Sequence, residues 1–203
     1  MTQGWQIPRV AHSVDVDVSQ CEALRRTLAA SGSKLSLTAL LLRAVALTLR
    51  EHPHLNALMR DKAVELVPDI NLGVAVSLDD GLMVPVIRNA DTLPLAELSA
   101  ELRRLAEGAR AGTLSAGSYQ RGTFTVSNLG MTAIDRFSPI INPPQVAILG
   151  VTRVAERAVV RDGAIVAAPM MGLHLVFDHR AVDGYPAAVF LGDLARRIET
   201  AAL

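Results

Sequence analysis

Met170-Met171-Gly172-Leu173-His174-Leu175-Val176-Phe177-Asp178-His179-Arg180-Ala181-Val182-Asp183-Gly184 is the stretch on which the fold turns. Met170 to Phe177 is an apolar run with the length of a strand, and from about Pro186 to Ala201 the residues Ala188, Leu191, Leu194 and Ile198 recur at helical spacing. A strand therefore hands over to a helix at His179. Imidazole titrates closest to neutrality of all side chains, so a histidine held neutral at such a junction is a candidate general base. A packed or capping histidine is the competing reading, and His-x-x-x-Asp-Gly is too short a pattern to choose between them.

Immediately upstream, Arg153 to Val160 and Ala164 to Ala168 flank Asp162-Gly163, which predicts a hairpin. Val146 to Gly150 has the composition of a buried strand, and Gly122 to Gly130 reads as a short strand entering a glycine-terminated loop. Between them, Pro139, Pro143 and Pro144 stiffen a long loop of the kind that often carries function. Ser127 stands at its entrance. Read locally, Ser127 is a strand-end hydroxyl bonded to nearby backbone. His174 shares a strand face with Val176 and Asp178, which places it in the core or an interface.

Towards the N-terminus, Val14, Val16 and Val18 alternate with Asp15 and Asp17, the period of a half-wet strand. Ser19-Gln20-Cys21-Glu22 matches a capping box and opens an amphipathic helix that Ser31-Gly32 closes. Ser36 caps a second helix to about Glu51, apolar on nearly every side, which fits a central layer or a subunit contact. Pro53 ends it, and His52 and His54 beside that proline have no third ligand at metal-binding spacing. Leu72 to Leu78 and Leu82 to Ile87, joined by Asp79-Asp80-Gly81, predict a second hairpin whose Pro85 belongs at an edge or bulge. Pro94 precedes a helix with Leu95, Leu98, Leu102, Leu105 and Ala109 on one face and a solvated charged face opposite.

Length and composition bound the rest. The 203 residues are 50% apolar and only 3% aromatic, enough for one aliphatic core with Trp5, Tyr119 and Tyr185 as isolated features. Twenty basic residues balance twenty acidic ones without a basic tract, so no nucleic-acid surface is indicated. Cys21 is the single cysteine, which excludes an internal disulfide and multi-cysteine metal sites; it reads as a buried structural residue. No signal pattern occupies Met1 to Arg9, and Ala39 to Leu49 is too short to span a bilayer. The expectation is a soluble cytoplasmic protein without a membrane partner, folded as one α/β domain over residues 1–203: a mixed β-sheet with helices packed on it.

Four segments, in this order, carry a resemblance: Gly81-Leu82-Met83-Val84-Pro85-Val86-Ile87-Arg88-Asn89-Ala90-Asp91, Gly122-Thr123-Phe124-Thr125-Val126-Ser127-Asn128-Leu129-Gly130, Pro139-Ile140-Ile141-Asn142-Pro143-Pro144-Gln145, and Asp178 to Gly184. Together they resemble the catalytic domain of dihydrolipoamide acyltransferases, the core enzymes of 2-oxo acid dehydrogenase complexes, from about Pro8 to the end. The resemblance implies a chloramphenicol acetyltransferase-like fold with its active site at a trimer interface. It implies acyl transfer between the thiols of dihydrolipoamide and coenzyme A, with coenzyme A as substrate, the lipoyl group supplied by another domain or protein, and no metal. His179 matches the family's general base, Asp183 the acidic residue after it, and Ser127 the hydroxyl that bonds the tetrahedral intermediate, with serine and histidine coming from adjacent subunits. Asp183 is expected to fix the loop by capping the last helix or pairing with a basic group rather than to take a proton.

The implied partners are a homotrimer or a larger cage of trimers, a lipoyl-bearing protein, and dehydrogenase-complex subunits. Lipoyl and partner-binding domains are not among the 203 residues, and the family's basic helix ahead of Pro8 looks truncated, with an arginine that would pair with Asp183. Two other readings stay open: a stand-alone acyltransferase that uses acyl-CoA and a carrier-protein or small-molecule acceptor, and a non-catalytic assembly subunit. The residues alone do not define the acyl group.

Overall fold

The computed structural model describes residues 7–33, 35–61 and 63–203; Trp5 lies outside them. Among the described residues, ten strands and four α-helices follow the chain as β1 (Arg9–Asp17), α1 (Ser19–Ala30), α2 (Leu37–Glu51), β2 (Ala57–Arg60), β3 (Ala63–Leu66), β4 (Leu72–Val74), β5 (Val76–Leu78), β6 (Gly81–Met83), β7 (Val86–Ile87), α3 (Leu95–Ala111), β8 (Phe124–Asn128), β9 (Ala147–Arg161), β10 (Ala164–Asp178) and α4 (Gly184–Glu199). Six strands form the central sheet in the order β1-β10-β9-β8-β4-β7. It is mixed, because β8 runs parallel to both β4 and β9 while the other pairs are antiparallel.

Period-2 alternation gives this sheet two unlike faces. Phe124, Val126, Leu149, Val151, Leu173, Leu175 and Phe177 point into one large core with the buried sides of α2 and α4. The opposite face carries Thr125, His174 and Asp178, all buried, and a small cluster of Ile141, Ile148 and Val176 with Ile7 packed against it. Helices cover the first face. The second is covered by the proline-rich segment between β8 and β9, which is why polar side chains survive there.

Helix α2 is buried along most of its circumference, from Ala39 to Leu49, and the Ser36 hydroxyl accepts from the Ala39 N–H at 3.1 Å, as a helix cap should. Helix α1 departs from the expected capping box. Its cap position falls on Val18, the Ser19 N–H donates to the Asp17 carboxylate at 2.8 Å, and Glu22 pairs with Arg25 instead of reaching back. The last strand residue, Asp17, thus supplies to the Ser19 N–H the acceptor that Glu22 was expected to supply.

Three sheet features also differ from the sequence reading. The hairpin around Asp79 to Gly81 is divided: β4 pairs with β7 in the main sheet, while β5 and β6 pair separately as an outlying ribbon. Pro85 marks the division, its carbonyl accepting from the Val74 N–H at 2.9 Å. The predicted pieces 146–150 and 153–160 form one strand, as do 164–168 and 170–177, so β9 and β10 are each 15 residues long. The short hairpin β2–β3 is an addition, turning at Asp61 with a positive φ of 51°.

Candidate active site

His179 follows the last residue of β10. Its N–H donates to the Pro8 carbonyl at 2.9 Å, so the β1–β10 pairing persists one step past the strand and fixes the backbone there. The imidazole is about half exposed, with Nδ1 3.9 Å from an Asp183 carboxylate oxygen. That side places Nε2 as the nitrogen free to meet a reacting group.

Asp183 occupies the cap position of α4, yet its side chain makes no capping hydrogen bond and is 85% exposed. The expected capping role is therefore not made by the side chain, and the nearby cation-forming group is His179. The turn itself is held by Asp178. Its carbonyl accepts the Ala181 and Val182 N–H groups at 3.0 Å, and its carboxylate accepts from Arg180 Nε at 2.9 Å and Nη2 at 2.6 Å. The clamp joins the last residue of β10 to Arg180 in the turn after it, so strand periodicity does not reveal it.

Ser127 lies near the end of β8, half-buried, and its hydroxyl makes no hydrogen bond among the described residues. The local-backbone reading of that hydroxyl is thus not met. Two residues earlier, the Thr125 hydroxyl donates to Gln145 Oε1 at 2.6 Å, fastening the end of the covering loop to β8. A Cβ on Gly150, the neighbour of Ser127 in register, would lie 2.8 Å from Phe137 Cζ, so that ring rests directly over Gly150. These loop contacts were invisible to periodicity because they join residues more than ten positions apart.

Register separates the two candidate groups. Ser127 aligns with Gly150 and Gly150 with His174, so Ser127 and His179 differ by two strands across the sheet and five residues along it. At strand spacings of about 4.8 Å and rises of about 3.3 Å, that is roughly 20 Å. One copy cannot close both groups on a single carbonyl.

His52 Nε2 lies 2.9 Å from the Asp193 carboxylate, a polar tie between α2 and α4 rather than part of a ligand cluster with His54. Cys21 is buried, its thiol donating to the Ile198 carbonyl at 3.1 Å, and burial pushes the thiol up to about 11. Among the described residues, no helix is long and apolar enough to cross a membrane.

The profile of the family described as 2-oxoacid dehydrogenases acyltransferase (catalytic domain) matches residues 1–203. The dihydrolipoyllysine-residue acetyltransferase component of pyruvate dehydrogenase complex from Bacillus subtilis (strain 168) is 39% identical over 195 residues, 93% of this chain and 44% of that protein. The chain spans less than half the length of this and other curated relatives. In three dimensions it is similar to Azotobacter vinelandii dihydrolipoamide acetyltransferase, whose serine, histidine and asparagine were investigated for their role in the catalytic mechanism. The TM-score is 0.93 at 37% identity, over 98% of this chain and 84% of that one. Chloramphenicol acetyltransferase shares the fold at 15% identity and a TM-score of 0.62, over 95% of this chain and 89% of that one.

Proposed function

The chain belongs to the 2-oxoacid dehydrogenases acyltransferase (catalytic domain) family, and we propose that it moves an acyl group between the thiols of dihydrolipoamide and coenzyme A. Residues 1–203 serve as one catalytic domain, in the cytoplasm, within a homotrimer or a cage of trimers. The lipoyl group arrives on another domain or protein of a dehydrogenase complex. In each active site His179 of one copy is the general base and Ser127 of the next is the oxyanion donor.

The observation that carries this reading is the pairing of sequence interval with spatial separation. In the Azotobacter enzyme the serine and histidine are 52 positions apart and the asparagine follows 4 later, the intervals between Ser127, His179 and Asp183. The third residue is a carboxylate here and an amide there. Yet Ser127 and His179 are too far apart to cooperate in one copy, which favours a site shared between copies.

The chemistry follows from the residue types. A thiol with a pKa of about 8.5 is only slightly ionised near neutrality, so a neutral imidazole must remove its proton as it attacks. Nε2 of His179 takes the proton from coenzyme A while sulfur bonds to the thioester carbon. The carbonyl oxygen gains charge and receives the Ser127 O–H, a contribution of about 3 kcal/mol by comparison with other oxyanion donors. The intermediate then expels the dihydrolipoyl sulfur, which recovers the proton from the imidazolium. No acyl-enzyme forms, and alignment of the two thiols in one channel supplies the rest.

Thioester formation from coenzyme A and acyl-dihydrolipoamide tests the proposal. The parent is expected to exceed His179→Ala by at least about 100-fold; equal rates would sink it.

A further inference from the structure

We infer that Asp178 and Arg180 are positioning residues whose two-pronged ion pair holds the turn that aims His179, a role that rests on the general-base reading of His179 above. Apart from the His179 N–H, which is held by the Pro8 carbonyl, the hydrogen bonds of this turn converge on Asp178. Arg180 gives its backbone N–H to Asp178 Oδ1 at 3.0 Å, and its Nε and Nη2 reach the two carboxylate oxygens. The Asp178 N–H is itself committed to the Val146 carbonyl at 2.8 Å, so the aspartate is anchored, before the turn begins, to the residue just ahead of β9.

Burial makes the pair obligatory. The Asp178 side chain is 1% exposed, and a carboxylate that deep is strongly disfavoured unless paired and hydrogen-bonded. Arg180 is half exposed and its planar fork matches both oxygens, so it closes the turn from the solvent side. Asp183, by contrast, is almost fully exposed and caps nothing with its side chain. The histidine backbone is therefore aimed from behind, by residues 178 and 180.

Arg180 also lines a cavity of about 540 Å³ with Gln145, Pro143 and Met59, so the test must separate positioning from direct substrate binding. The variants are Arg180→Gln and Arg180→Lys, with His179→Ala alongside. They leave the buried aspartate in place. The readings are kcat, KM for each thiol substrate, and the rate at which diethyl pyrocarbonate modifies His179 relative to the exposed His54. Arg180→Gln should lower kcat by about 10- to 100-fold with each KM within about twofold. Arg180→Lys, which keeps the charge but not the fork, should recover part of the loss. The His179 to His54 modification ratio should change about threefold or more in Arg180→Gln.

Parental kcat together with a parental ratio overturns the inference. A raised KM for coenzyme A with kcat intact also overturns it, because Arg180 would then bind substrate. If parent and His179→Ala transfer acyl groups equally, the acyl-transfer reading fails instead, and the modification ratio alone decides the clamp.

Discussion

Ser127 and His179 lie two strands and five register positions apart on the same sheet, roughly 20 Å from each other in one copy. A proton transfer and an oxyanion contact on the same tetrahedral carbon need both groups within a few ångströms of it. The fold holds each group firmly, Ser127 in the β8–β9 ladder and His179 through the Pro8 carbonyl, so loop movement does not bridge the gap.

Mixed assembly is therefore expected to restore activity. Ser127→Ala alone and His179→Ala alone should each lose about 100-fold or more in kcat. Co-expressed in equal amounts, random assortment in a ring places an intact serine beside an intact histidine at about one site in four. Activity near a quarter of parental is the expected result from a thioester assay on the mixed protein. No recovery in demonstrably mixed oligomers would overturn the shared site.

Much of this fold was readable from periodicity, and the reasons for the exceptions are local. The long helices and the strand at Met170 to Phe177 announce themselves because their buried faces repeat over three turns or four residue pairs. Hairpin β2–β3 does not, since all of Ala63 to Leu66 is exposed and no alternation marks it. The capping box at Ser19 failed because Asp17, two residues before, competes for the same N–H. The candidate site residues were legible as residue types at characteristic intervals, but the separation of Ser127 from His179 depends on strand order, which no single segment encodes, and the Asp178–Arg180 clamp on the conformation of the turn after β10.

His174 should make stability fall on mild acidification. Burial lowers its pKa from the ordinary histidine value, partly offset by the Asp135 backbone, with Ser13 bonded to Nδ1 at 2.8 Å and Asp15 and Arg136 as the charged neighbours. The unfolded chain then binds the proton more readily than the folded one. Stability is complete above the unfolded pKa of about 6.5 and declines as pH falls from there towards the lower folded value. Unfolding free energies from urea titrations at pH 7.5, 6.5 and 5.5 should drop in the parent, by at most about 1.4 kcal/mol per pH unit from this group. His174→Gln should flatten that part of the decline; an identical profile would remove the assignment.

Cys21 should be inert to alkylation in the folded protein. With its thiol at about 11, only about one molecule in a thousand is thiolate at pH 8, and the sulfur is buried against the Ile198 carbonyl. Iodoacetamide at pH 8 is expected to label it at least about 100-fold more slowly than in urea-unfolded protein, followed by intact mass. Comparable rates would mean that the contact between α1 and the end of α4 opens readily.

Gly150 and Phe137 should behave as a coupled pair. An alanine Cβ at Gly150 would meet three atoms of the ring at 2.8, 3.1 and 3.2 Å, closer than carbon atoms pack, so the ring or strand β9 must shift. Gly150→Ala is expected to cost about 1–3 kcal/mol in urea unfolding, the usual range for overpacking. Phe137→Leu removes the obstructing edge and on its own loses ring packing against Gly150 and His174. Combined, the two changes should cost less than the sum of the singles by at least about 0.5 kcal/mol, because the second relieves the clash made by the first. Strict additivity would show that Phe137 does not rest on Gly150, and the covering loop would then lack its contact beside Ser127.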